Sequence, residues 1–171
     1  MENFIILKHC IKQDDWINAI DYLLSEEKKE PNDIDISLNL IYCFGIFLTE
    51  KCDSPLLYKE YLQLSVKYAA RACEHFSNNP EFLFYAGWMM CIGEWNFGVE
   101  QEYLESMIDK AHEMDPNNPL YIWSLFQRGP HDASYEYSHT LRAYCTSNGY
   151  SFILKHGPIG EYFIECFRLS N

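Results

Sequence analysis

Between residues 55 and 76 the apolar positions Leu57, Tyr61, Leu64, Tyr68, Ala72 and Phe76 recur every three or four residues, the spacing that gathers side chains on one face of an α-helix. Polar residues fill the gaps, as on a helix with one side in water. The same period governs most of the chain, and the alternation of a half-buried strand is scarce. Breakers cut the pattern into segments of helix length. It predicts helices near 2–12, 14–27, 34–50, 54–77, 80–93, 99–115, 118–127, 132–147 and 160–168. The stretch YSFILKHGPIG, residues 150–160, lacks the period and is predicted to be irregular or briefly extended, with HGPIG as a turn before the last helix.

Helix-start chemistry agrees with these divisions. Ser54 precedes Pro55, Asn79 precedes Pro80 and Asn118 precedes Pro119, each a capping side chain followed by a proline whose missing N–H is harmless in the first helical turn. Two of these starts belong to a repeat. A shift of 39 positions brings Asn78-Asn79-Pro80 onto Asn117-Asn118-Pro119, Ala72 onto Ala111 and Glu74 onto Glu113. A shift of 42 brings Gly45 onto Gly87. A helix-turn-helix unit of about 40 residues therefore recurs.

In these features the chain resembles the tetratricopeptide and Sel1-like repeat family. NPEFLFYAGWMM is similar to the family's first helix, with Gly87 admitting its neighbour closely; IDKAHEMDPNNP is similar to the end of the second, with Ala111 as packing residue and Pro116 as breaker. QDDWINAIDYLL resembles the start of a second helix, with Trp16 in the aromatic slot and Ala19 in the small one. The likeness spans about residues 13–127. It departs at NFGVEQ, a lengthened turn that Trp95 is expected to pack, and at Ser124, where a glycine is expected. It implies a single all-α domain over 1–171, a right-handed α-solenoid of TPR-like hairpins over 1–128 with a divergent C-terminal cap over 129–171. It also implies a concave groove lined by first helices, placing Asn39, Tyr42, Ile46, Glu81, Phe84, Tyr85, Trp88 and Tyr121 on or near it.

Charge changes the picture more than composition does. Lys and Arg total 13 against 25 Asp and Glu, a formal charge of −12, beyond the magnitude of about 2–8 that solubility asks of a small domain. Such a field repels nucleic acid and anionic lipid and draws in a basic protein. Glu102, Glu105 and Asp109 share one helical face, while Glu81, Tyr85 and Trp88 share another by spacing. Aromatic anchors of this kind are favoured at protein interfaces; Phe84 and Trp16 are expected to be structural. No apolar run reaches the 18 residues of a membrane span, and MENFIILKHCIKQDDW lacks the parts of a signal peptide, so a cytoplasmic location is expected.

Seven cysteines at 10, 43, 52, 73, 91, 145 and 166 show neither a C-x-x-C pair nor regular spacing, the habit of scattered reduced thiols. With six histidines they allow a Cys/His hydrolase to be imagined, yet no nucleophile signature frames any of them. Zinc spacings are absent, and Pro158 removes an amide that a phosphate cradle in HGPIG would need. No catalytic residue, cofactor or metal is expected. The expected function is binding. In size, acidity and scattered cysteines the chain resembles the immunity proteins of contact-dependent growth inhibition, which implies a 1:1 complex with a basic, nuclease-type toxin whose active site or substrate groove it blocks. The partner surface is drawn from Glu81, Tyr85, Trp88, Tyr42, Asn39, Tyr121, Glu102, Glu105 and Asp109. The alternative is an adaptor or secretion chaperone holding a peptide in the groove.

Overall fold

The computed structural model describes residues 4–127, 131–148 and 150–169, apart from the side chains of 126–137, 148 and 167–169. Its helices are α1 (Ile5–Lys12), α2 (Trp16–Glu27), α3 (Ile34–Ile46), α4 (Pro55–His75), α5 (Pro80–Met90), α6 (Gln101–Met114), α7 (Pro119–Gln127), α8 (His131–Asn148), α9 (Ser151–Leu154) and α10 (Pro158–Leu169). The protein is all-α, with no strand among the described residues. The junction expected at 128–129 lies at residues outside the description.

The predicted helix starts are built from the side chains that announce them. Ser54 Oγ accepts from Leu57 N at 3.4 Å, and Asn79 Oδ1 accepts from Phe82 N at 3.0 Å. Asn118 Oδ1 accepts from Leu120 N at 3.1 Å. Asp33 caps α3 through Asp35 N and Ile36 N at 2.7 and 3.1 Å. Each bond satisfies an amide that the helix itself cannot.

Burial separates two kinds of helix. In α4 and α6 a single stripe is buried, such as Leu104, Met107, Ile108 and Ala111. In α3 every residue from Ser37 to Ile46 is buried, and α5 buries nearly all of Phe82 to Met90, because neighbours close over them from several sides. Helices α1 to α4 pack each on the next, as do α5 to α8 and α9 with α10, and α3 also lies against α5 and α10. Gly87 permits the tight contact of α5 with α6: a Cβ there would lie 3.1 Å from Ile108 Cγ1 and from the Leu104 carbonyl oxygen. The small residues Ala19, Ala72 and Ala111 are likewise buried at packed positions.

Three segments depart from expectation. The helix drawn to residue 50 ends as regular α-helix at Ile46 and continues as a π-helical turn, Phe47–Lys51. In the lengthened turn after α5, Trp95 does not pack; it is 60% exposed. Buried Asn96 does that work, donating to Thr49 Oγ1 at 3.0 Å and accepting from the Tyr58 hydroxyl at 2.9 Å, while its carbonyl accepts from Ser65. Finally, the stretch 150–160 is not extended: Ser151–Leu154 form the short helix α9, and residues 155–157 make the expected turn, with Gly157 at φ +69°, into α10, whose first residue is Pro158. A Cβ on Gly160 would fall 2.0 Å from the Ile153 carbonyl oxygen, so glycine is what lets α10 cross α9.

Candidate functional site

Several of the residues assigned to a partner are covered by the chain's own α9–α10 segment. Asn39, Tyr85, Tyr121 and Tyr42 are all buried. Phe163 of α10 sits among Trp88, Tyr85 and Phe84, with ring centroids 4.6, 4.8 and 5.7 Å away. Tyr162 lies 5.4 Å from Tyr42, and Tyr121 stacks obliquely on Phe84 at 4.8 Å. Trp88 is half-buried between Phe163 and Trp123, whose rings are 4.6 and 6.4 Å away. Burial pushes the phenols of Tyr42, Tyr85 and Tyr121 well up, and that of Tyr162 up to about 12, so all four are neutral near pH 7.

Polar groups fasten the same segment. Asn39 grips its main chain twice: Nδ2 donates to the His156 carbonyl at 2.8 Å and Oδ1 accepts from Ile159 N at 3.1 Å. The His156 imidazole is buried, with Nδ1 on Asp35 Oδ1 at 2.6 Å and its ring centroid 4.6 Å from that of Tyr85. Glu81, 38% exposed, pairs with Lys155. Helix α1 adds an ion pair from Lys8 to Glu161 at 2.6 Å. Sequence reasoning missed Asp35, Lys155, His156 and Phe163. The available signal was the basic pair Lys155-His156, followed by Gly-Pro, in a strongly acidic chain.

An open region lies where α5, α6 and α7 meet. A cleft of about 250 Å³ between α5, α6 and α7 has Trp88, Ile92, Ile108 and Ser124 in its walls and Glu105 at its edge. Glu105 accepts from Gln101 Nε2 at 3.0 Å, which orients its carboxylate beside the cleft. Glu102 and Asp109 are exposed on the same stripe of α6. Exposed Ile92 and Trp95, both in the turn after α5, add apolar surface. Of the nine residues assigned to a partner, Trp88 and Glu105 thus meet at one open site, with Glu102 and Asp109 beside them.

Five of the seven thiols are displaced by burial. Desolvation pushes the thiol of Cys43 far up, those of Cys73 and Cys145 up to about 11, and those of Cys10 and Cys166 upward. A nucleophilic cysteine requires the opposite displacement. Among the described residues no group of three or more His, Cys, Asp or Glu is placed to hold a metal ion, and no helix is long and apolar enough to cross a membrane. No family model, curated protein or solved structure matches the chain.

Proposed function

We propose that the protein is a non-enzymatic binding module for a basic protein, acting as an immunity protein that neutralises a nuclease-type toxin in a 1:1 complex in the cytoplasm. The observation that carries this reading is the pairing of an open, apolar-walled cleft with the Glu102–Glu105–Asp109 stripe, on a chain of net charge −12. Carboxylates there would pair with the lysines and arginines by which a nuclease holds phosphates, while Trp88 and Ile92 supply desolvated contact. Capture would be electrostatically steered and weakened by salt. We take the helical scaffold that presents the stripe as a right-handed α-solenoid of TPR-like hairpins; the close approach at Gly87 and the recurrent Asn-Pro starts support that arrangement.

The test is coexpression with a basic nuclease domain encoded in the neighbouring reading frame. The proposal expects copurification and protection of the host cell, both lost in the Glu102→Lys, Glu105→Lys, Asp109→Lys variant with its melting transition retained. A wild-type chain that neither copurifies nor protects sinks the reading.

A further inference from the structure

The way the inner face holds α9–α10 differs from ordinary core packing in one respect: its polar groups read main chain and charge. Asn39, with no exposed surface, bonds one carbonyl and one amide of the segment, a grip that does not depend on the identity of the side chains it passes. Beside it, Asp35 and Glu81 flank the pocket that receives His156, and Tyr85 presents its ring at 4.6 Å. Two carboxylates and an aromatic ring together suit a cation that donates in several directions.

The group now in the pocket matches it incompletely. His156 Nδ1 meets Asp35 and the neighbouring Lys155 holds Glu81 Oε1, but buried His156 Nε2 has no hydrogen-bond partner, and Glu81 Oε2 stands 3.9 Å from it, beyond hydrogen-bond reach. A lysine or arginine has donors enough for both carboxylates. Toward the far end, Phe84, Tyr85 and Trp88 receive Phe163, seven positions after His156.

We infer that the Asp35–Glu81–Tyr85 pocket is a recognition site for a basic side chain of a partner segment, occupied in cis by His156 of the chain's own C-terminal segment. The partner's segment carries Lys or Arg, then an apolar residue and an aromatic at the spacing of His156, Ile159 and Phe163, and binds by displacing 155–163. This site shares Trp88 with the α6 cleft but takes its charge recognition from Asp35 and Glu81, and its ligand is a short helical segment rather than a folded basic surface. It stands or falls apart from the toxin proposal.

The experiment uses the full-length chain and a labelled 14-residue peptide, FILKHGPIGEYFIE, with a second peptide carrying arginine at the position of His156 and a third carrying glutamate at the positions of Lys155 and His156. The segment is loosened by Lys155→Glu, which sets a like charge against Glu81 at an exposed position, or by Phe163→Ala; helix content by circular dichroism verifies that each variant is folded. Fluorescence anisotropy is expected to show weak or no binding to wild type and clear binding to a loosened chain. The arginine peptide should bind about tenfold more tightly than the native one, as one added charge-assisted hydrogen bond allows. The glutamate peptide should not bind, and Asp35→Asn in the loosened chain should lower affinity for the arginine peptide about tenfold or more. The inference is overturned if folded Lys155→Glu chain binds no peptide. It is equally overturned if binding is the same in wild type, ignores the Asp35 change, or fails to favour arginine.

Discussion

Replacing Phe163 with alanine removes the side chain that joins α10 to α5, and the structure sets the size of the effect. The ring is 1% exposed and lies within 4.6–5.7 Å, centroid to centroid, of Trp88, Tyr85 and Phe84. Truncating a buried phenylalanine costs about 3–5 kcal/mol, the upper part applying where the cavity walls cannot collapse. Here the walls are rings held by further rings, Tyr121 on Phe84 and Trp123 beside Trp88, so collapse is restricted and about 4 kcal/mol is expected. For a chain of this length each kcal/mol lowers Tm by about 2–4 °C, so the loss should be about 8–16 °C. Thermal melts followed by far-ultraviolet circular dichroism measure it. Near-ultraviolet signals should change with it, because three aromatic neighbours lose a partner. A fall of less than about 3 °C, roughly 1 kcal/mol, would mean that α10 does not close over α5 and that Tyr85 and Asn39 are not buried beneath it.

Other consequences are smaller or more local. Trp88→Ala, at a half-buried ring, should lower stability by about 2 kcal/mol in denaturant titration, whereas a merely exposed contact would leave the midpoint unmoved. Gly160→Ala places a Cβ against the Ile153 carbonyl and should destabilise by about 2 kcal/mol or more; a neutral result in a thermal melt would contradict the α9–α10 crossing. Arg71→Ala leaves the buried Glu27 carboxylate without its ion-pair partner and should lower stability by about 3 kcal/mol, more than the ordinary loss of an exposed pair. With pKa values of about 11, Cys73 and Cys145 at pH 8 hold about 0.1% thiolate against about 24% for a free thiol, so alkylation followed by mass spectrometry should find both slow until the chain unfolds. The same raised thiols and phenols bind protons in the folded chain that the unfolded chain has released. Their contribution to stability is complete below about pH 8.5 and is lost as pH rises, through about 11 for the thiols of Cys73 and Cys145 and about 12 for the Tyr162 phenol, so Tm should fall across that window; a flat profile would contradict the burial.

Local chemistry was legible in the sequence where it acts at short range. Ser54 and Asn79 cap the helices they precede, and Gly87 and Ala111 mark close packing, because each role depends on a few neighbouring backbone atoms. The inner face was legible as a face, since a helical period places Tyr85 and Trp88 together whatever covers them. What covers them was not. Whether a surface ring meets solvent, a partner or the chain's own end depends on contacts more than 70 residues apart, such as Glu81 with Lys155 and Asp35 with His156, which no local period encodes. Trp95 fails for the converse reason: hydrophobicity alone suggested that it packs the turn, while the hydrogen-bonding capacity of the adjacent Asn96 decided which side chain turned inward.

Capture of a basic protein by the acidic stripe beside the α5–α6–α7 cleft makes binding depend on salt. Titration of the chain with the basic nuclease domain by calorimetry at 50 and 300 mM salt should show Kd rising about tenfold or more, since the screening length falls from about 14 to about 6 Å across that range. The Glu102→Lys, Glu105→Lys, Asp109→Lys variant should bind weakly at both concentrations and lose that dependence. An affinity that is independent of salt, or unchanged in a folded charge-reversed variant, would contradict the account.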